Sequence, residues 1–166
     1  MSPVIDIPIE GLPYIDEHAV GVHATERETW DALLETLPDV FDTAATRRFA
    51  SLLGVEHPEG RGELGTIGST IPGFVCARAV EPSVLALLGG HRFSRYALIF
   101  RVERAASGTR LRAETRAEFP ETKGRIYRAL VIGTRGHALV VRRILRAVKR
   151  RAESGSAIPF SSRRGG

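Results

Sequence analysis

Cysteine is almost missing from this chain of 166 residues. The one thiol, Cys76, excludes an intrachain disulfide framework and fits a reducing cytosol. No uninterrupted apolar run approaches the roughly 18 to 20 residues a membrane-spanning helix requires. The opening MSPVIDIPIEG lacks the basic region and apolar core of a secretory signal. A cytoplasmic location is therefore expected. No internal repeat is present, and at this length a single domain with one core is the expectation. The five histidines, His18, His23, His57, His91 and His137, are scattered without metal-ligand spacing, so no metal is expected. The GTRG stretch lacks the strand, glycine-rich turn and lysine of a phosphate loop. A nucleophile elbow of the form G-x-S-x-G is also missing. No cofactor is expected.

Acidic residues are absent from one long stretch. Between Lys123 and Arg151 stand ten of the 24 basic residues and no Asp or Glu. The other 14 basic residues are outnumbered by the 19 acidic ones. A net charge of +5 thus describes a mildly acidic body with one strongly basic segment.

What the sequence does contain is a change of period in its last third. TRLRAETRAEF (109–119) places Leu111, Ala113, Thr115, Ala117 and Phe119 on one side and charged residues on the other. Period two with one charged side predicts an antiparallel strand with a dry and a wet face. From Lys123 to Arg151 the period becomes helical. At about 100° per residue, Ile126, Leu130, Val141, Ile144 and Val148 share one stripe. A one-sided sheet followed by such a helix predicts a sheet wrapped around it, with room for a cavity between them.

Upstream, residues 1–12 read as a lead-in and Tyr14 to Val22 as a first strand. Thr25 followed by Glu28 is a capping box. Trp30, Leu33, Leu34 and Leu37 give the helix after it a buried stripe, and Pro38 is expected to end it. A second short helix is expected over 44–53. Strands are expected near 66–70, 73–80, 84–88, 93–104 and 109–119, separated by Ile71-Pro72-Gly73, Glu81-Pro82-Ser83, Gly89-Gly90 and Ser107-Gly108. Gly89-Gly90 reads alternatively as a bend inside one strand. Residues 153–166 are expected to be a disordered basic tail.

This order resembles the START-like, or helix-grip, superfamily of lipid-transfer proteins, birch-pollen-allergen-like proteins and bacterial polyketide cyclases. HAVGVHATERETWDALLETL looks like that superfamily's opening: a strand, a small residue, then a helix with a buried Trp. HRFSRY (91–96) and YRALVIGTRGH (127–137) look like local signatures of a bacterial branch with no chemistry attached to them. The resemblance covers residues 13–152. It implies an α+β fold in which a curved antiparallel sheet grips a long C-terminal helix around an apolar cavity, with two short helices after the first strand. Activities across the superfamily range from transfer and sensing to cyclisation, dehydration and no catalysis, so fold does not decide function.

His137 is the leading candidate for chemistry, because it falls near the centre of the helix's apolar stripe, one turn from Thr134. Aimed at a cavity, an imidazole acts as acid, base or hydrogen-bond partner. The alternative is a buried histidine satisfied by a carbonyl or a tyrosine. If Val20 and Val22 face inward, Tyr14, Asp16 and His18 share their face, and a carboxylate with an imidazole opposite His137 would form an acid–base pair. A one-residue slip would exchange that whole set. Tyr96, on the face of Leu98, Phe100 and Val102, and Tyr127, at the edge of the helix stripe, are candidates to meet a ligand or to fill the core. Arg92 and Arg95 could meet an anionic head group at the mouth. Gly133 and Gly136 inside a helix cost about 1 kcal/mol each relative to alanine, which a close approach to the sheet, room for a ligand or a helix kink or break would explain.

Arg128, Arg135, Arg142, Arg146 and Lys149, with Arg143 and Arg150 nearby, form a basic face away from the apolar stripe. It is either a solvated face or a surface for an anionic partner. No aromatic residues are interleaved with the arginines, which argues against stacking on a single strand of nucleic acid. Ile132 and Leu139 interrupt the face, as a protein contact or dimer seam would, and no pattern specifies an oligomeric state. Two functions follow. The first is binding of a small apolar ligand between sheet and helix, with or without acid–base catalysis of the cyclase or dehydratase kind through His137. The second is a non-catalytic module whose basic helix docks on an anionic membrane surface or nucleic acid.

Overall fold

In the computed structural model, residues 9–43, 57, 59–91, 94–119 and 136–156 are described. A 3-10 turn (Ile9–Gly11) leads into β1 (Tyr14–Val22) and α1 (Glu26–Phe41). The strands β2 (Thr70–Ile71), β3 (Phe74–Val80), β4 (Val84–His91), β5 (Ser94–Ala105) and β6 (Gly108–Glu118) follow, and α2 (Gly136–Ser156) comes last. The six strands form one curved antiparallel sheet in the order β1-β6-β5-β4-β3-β2. First and last strands of the chain's main run are thus neighbours, and β1 is an edge.

Local sequence explains most of these elements. Thr25 Oγ1 accepts from the Glu28 amide at 3.2 Å, and the Glu28 carboxylate accepts from the Thr25 amide at 2.8 Å. Two otherwise orphaned amides at the start of α1 are satisfied this way. Trp30, Leu33 and Leu37 bury the helix against the sheet, with Leu34 beside them. Pro38 does not end α1, contrary to expectation. Its missing amide removes one late hydrogen bond, but the Asp42 amide closes the last turn on the Pro38 carbonyl at 2.8 Å. Val40 and Phe41, packed on the core, hold that turn in place.

The core lies between the inner face of the sheet and the two helices. Leu85 and Leu87 of β4, Leu98, Phe100 and Val102 of β5, and Leu111 and Ala113 of β6 meet Val141, Ile144, Leu145, Val148 and Ala152 of α2. The expected stripe of the last helix is therefore buried wherever it is described. Ile126 and Leu130 lie outside the described residues, as do the expected short helix at 44–53 and Gly133.

The strand expected at 66–70, the end of the last helix and the outer face of the sheet differ from the sequence reading. The strand expected at 66–70 is a series of turns, with only Thr70–Ile71 extended. Gly89-Gly90 falls inside one strand, in line with its alternative reading, because β4 pairs with β5 out to His91↔Ser94. α2 continues to Ser156, four residues into the expected tail. There Glu153 accepts from the His23 amide at 2.9 Å, while the Ser154 and Ser156 hydroxyls donate to the carbonyls four residues back. The outer face of the sheet is not uniformly wet either. Ala86, Ala97 and Ile99 make it apolar near its centre, and Leu12 of the lead-in covers them.

Candidate functional site

Chemistry-bearing side chains converge where β1, β6 and the start of α2 meet. The pairing of β1 with β6 sets the register: Asp16 stands opposite Thr115 and His18 opposite Ala113. Because Thr115 and Ala113 face inward, Asp16 and His18 do too, along with Val20 and Val22. A bulge at the start of β1 pairs Tyr14 with Arg116, one step out of phase. Tyr14 therefore leaves the face it was expected to share and is exposed. One extra residue in a strand reverses the side of everything before it.

His137 enters from the first turn of α2. Its Nε2 lies 2.8 Å from Thr115 Oγ1 and 3.7 Å from Asp16 Oδ1. The other carboxylate oxygen, Asp16 Oδ2, is 3.2 Å from His18 Nε2. Arg142, one turn further along α2, donates from Nε to His18 Nδ1 at 3.4 Å. An arginine can only donate, so His18 Nδ1 is the acceptor and Nε2 carries the hydrogen given to Asp16. Arg142 thus belongs to the site, whereas the sequence reading set it on the anionic-partner surface.

Burial and charge act in opposite directions on His137. Desolvation lowers its pKa below the usual 6.5, the Asp16 carboxylate raises it and the His18 ring lowers it, leaving a net depression. His137 is therefore a neutral imidazole at pH 7, next to a carboxylate that would stabilise its protonated form. Asp16 Oδ1 is buried and has no hydrogen-bond partner among the described residues. A buried carboxylate oxygen without a donor costs free energy, and a ligand donor or water would relieve it.

Elsewhere, Tyr96 points inward from β5, and its hydroxyl donates to the Gly73 carbonyl at 3.1 Å. Its ring stacks edge-on against Phe74, which does the same against Phe41. Arg95 is exposed and pairs with Glu118 at 3.5 Å. Tyr127, Arg128, Thr134 and Arg135 lie outside the described residues, as does Arg92. Cys76 is buried, and burial raises its thiol pKa, which makes it a poor nucleophile. An open cleft of about 580 Å³ occurs at the far end of α2, lined by His23, Thr25, Glu26, Arg104 and Ser156 among others. Arg104 and Glu26 pair there at 3.2 Å. Val141, Ile144, Leu145, Val148 and Ala152 of α2 are buried in the main core cluster. No group of three His, Cys, Asp or Glu side chains suited to a metal ion occurs among the described residues, and no helix among them is long and apolar enough to cross a membrane.

Sequence reasoning anticipated Asp16, His18 and His137 as candidates on facing elements. It missed Thr115 as a partner of His137, although the alternation had already placed Thr115 inward. A hydroxyl among Leu111, Ala113 and Ala117 was the available signal.

The sequence matches no family model and no curated protein. Its likeness to known proteins is in three dimensions. It superposes on the di-domain ARO/CYC StfQ from the steffimycin biosynthetic pathway with a TM-score of 0.55 at 13% identity, over 86% of this chain and 51% of that one. Truncated norcoclaurine synthase from Thalictrum flavum gives a TM-score of 0.53 at 13% identity, over 84% and 94% of the two chains. A protein from Chromobacterium violaceum gives 0.54 at 11% identity, over 85% and 99%. At these identities the likeness establishes the fold: this chain has the helix-grip α+β architecture.

Proposed function

We propose that this chain binds a small, largely apolar ligand between the sheet and the start of α2, with the ligand's hydrogen-bond donor on Asp16 and a proton exchanged with His137. The observation that carries this reading is the buried Asp16 Oδ1, without a hydrogen-bond partner among the described residues, beside the neutral His137 ring. Two helix-grip neighbours, an ARO/CYC and a synthase by name, support a fold suited to small ligands.

The chemistry follows from the geometry. Asp16 Oδ1 accepts from a ligand hydroxyl, which fixes the donor next to His137 Nε2. The neutral imidazole takes a proton from the ligand, and the resulting imidazolium is stabilised by Asp16, at 3.7 Å in the resting arrangement. His18, itself held by Arg142, holds Asp16 in place through its other oxygen, and Thr115 orients His137. The same imidazolium returns the proton at another ligand atom, which is the pattern cyclisation and dehydration need.

The test compares 2-naphthol with naphthalene by fluorescence titration, alongside native mass spectrometry of the freshly purified protein. Asp16→Asn should weaken 2-naphthol on the order of tenfold to a hundredfold, the worth of a hydrogen bond to a charged acceptor, and leave naphthalene unchanged. Equal affinity for the two compounds in the unmodified protein would remove Asp16 from ligand binding. Unchanged turnover of an identified ligand in a folded His137→Ala variant would remove His137 from catalysis.

A further inference from the structure

The outward face of α2 is a surface that the candidate site does not use. Leu139, Arg143, Arg146 and Arg150 follow one another at intervals of four, three and four residues, which places them on one stripe of the helix. Val141, Ile144, Val148 and Ala152 form the buried stripe on the opposite side. Val140 flanks the outer stripe. Leu139 is 66% exposed and Val140 48%, large apolar side chains held in water on the first described turn.

The three arginines of this stripe differ from the other basic residues of α2. Arg142 is held by His18, Lys149 by the Gly21 carbonyl and Glu153, and Arg151 by Glu35 and Asp39. Arg143, Arg146 and Arg150 are exposed and have no ion pair among the described residues. Three uncompensated charges on one stripe repel one another, and an anionic surface would relieve that repulsion. The rest of the chain, where acidic residues outnumber basic ones, would be turned away from such a surface.

From this pattern we infer that the Leu139–Arg150 face of α2 docks on an anionic lipid bilayer. Leu139 and Val140 would enter the boundary between head groups and acyl chains, with the arginines on the lipid phosphates. The apolar pair decides between a membrane and a nucleic acid. Duplex DNA offers phosphates but little apolar surface, and no aromatic residue stands on this face to stack on unpaired bases. Docking this way brings the start of α2, which carries His137 and Arg142, close to the bilayer, so an apolar ligand could reach the candidate site without crossing bulk water. The docking inference stands independently of that site.

Flotation with phosphatidylcholine vesicles, with and without phosphatidylglycerol, tests it. Binding is expected only with phosphatidylglycerol, and it should weaken steeply as salt rises to about 0.5 M. Replacing Arg143, Arg146 and Arg150 together by Gln should reduce partitioning on the order of a hundredfold, at the usual contribution of one basic residue near an anionic surface. Leu139→Ser with Val140→Ser should reduce it by roughly tenfold. All five residues are exposed, and circular dichroism of each variant checks that the fold persists. Vesicle binding that survives the arginine changes would overturn the proposal. So would a lack of vesicle binding together with salt-sensitive binding of a DNA duplex, or a concentration-dependent dimer abolished by Leu139→Ser.

Discussion

Gly89→Ala is the sharpest single perturbation of this fold. Gly89 lies on β4 directly opposite Tyr96. A methyl group built there would stand 2.2 Å from the Gly73 carbonyl oxygen and 2.3 Å from Tyr96 Cε2. Neither neighbour moves cheaply. The carbonyl is backbone, and the tyrosine is held by its hydrogen bond to that same carbonyl and by its edge contact with Phe74. Overpacking of this kind costs about 1 to 3 kcal/mol. A displaced Tyr96 would also forfeit a hydrogen bond worth about 1 kcal/mol and part of an aromatic contact. We expect a loss of about 3 kcal/mol. With a urea slope of about 2 kcal/mol per molar, the unfolding midpoint should fall by roughly 1.5 M. Gly21→Ala is the control, since a methyl there meets nothing within 4 Å; it should change stability by less than about 0.5 kcal/mol. Pairing Gly89→Ala with Tyr96→Leu should recover the part of the loss due to the ring, and the double-mutant cycle measures that part. A midpoint shift below about 0.5 M for Gly89→Ala would refute the packing argument. It would also free Tyr96 to be considered a mobile ligand contact.

Two further predictions concern pH. His137 has a folded pKa below its unfolded value of about 6.5, so the unfolded chain binds its proton first as pH falls. The associated stability is complete above pH 6.5 and is lost as pH drops through the folded pKa. His137→Gln should flatten that part of the stability–pH curve, and an unchanged slope in urea titrations would contradict the burial argument. Glu17 is held below the ordinary carboxylate range chiefly by its hydrogen bonds from Arg112, which lie at 3.1 and 2.5 Å. Its contribution is present above pH 4.5 and lost as the solution is acidified through the folded pKa. Arg112→Gln, which also breaks the 2.9 Å pair with Glu103, should lower stability at pH 7 by about 1 kcal/mol or less, since both side chains of the half-buried pair still reach water. The difference should shrink in acid; a variant gap that stays constant with pH would count against the ion pair as its source.

What could be read from the chain alone was whatever depends on near neighbours in sequence. The Thr25–Glu28 capping box spans one helical turn, so both of its partners appear in a four-residue window. The inward set of β6 and the stripe from Val141 to Val148 follow from strict periods of two and 3.6, which hold regardless of what packs on them. Those local rules were enough for naming Asp16, His18 and His137 as candidates, and the helix-grip architecture came from the resemblance of the element order to that superfamily.

Tertiary structure decided what depends on partners distant in sequence. Pro38 is a helix stop by local rules, yet α1 passes through it because Val40 and Phe41 pack on a core built by other segments. The bulge that turns Tyr14 outward is a property of how β1 meets β6, and neither strand encodes it alone. Lys149 and Arg142 look like members of one basic face until the edge of β1 supplies the Gly21 carbonyl and His18 to hold them. Side-chain direction around a helix is a local quantity, but whether a charge is satisfied depends on which atoms the fold brings within about 3 Å of it. The same holds for Asp16, whose buried oxygen comes to lie beside His137 only once β1, β6 and α2 have met.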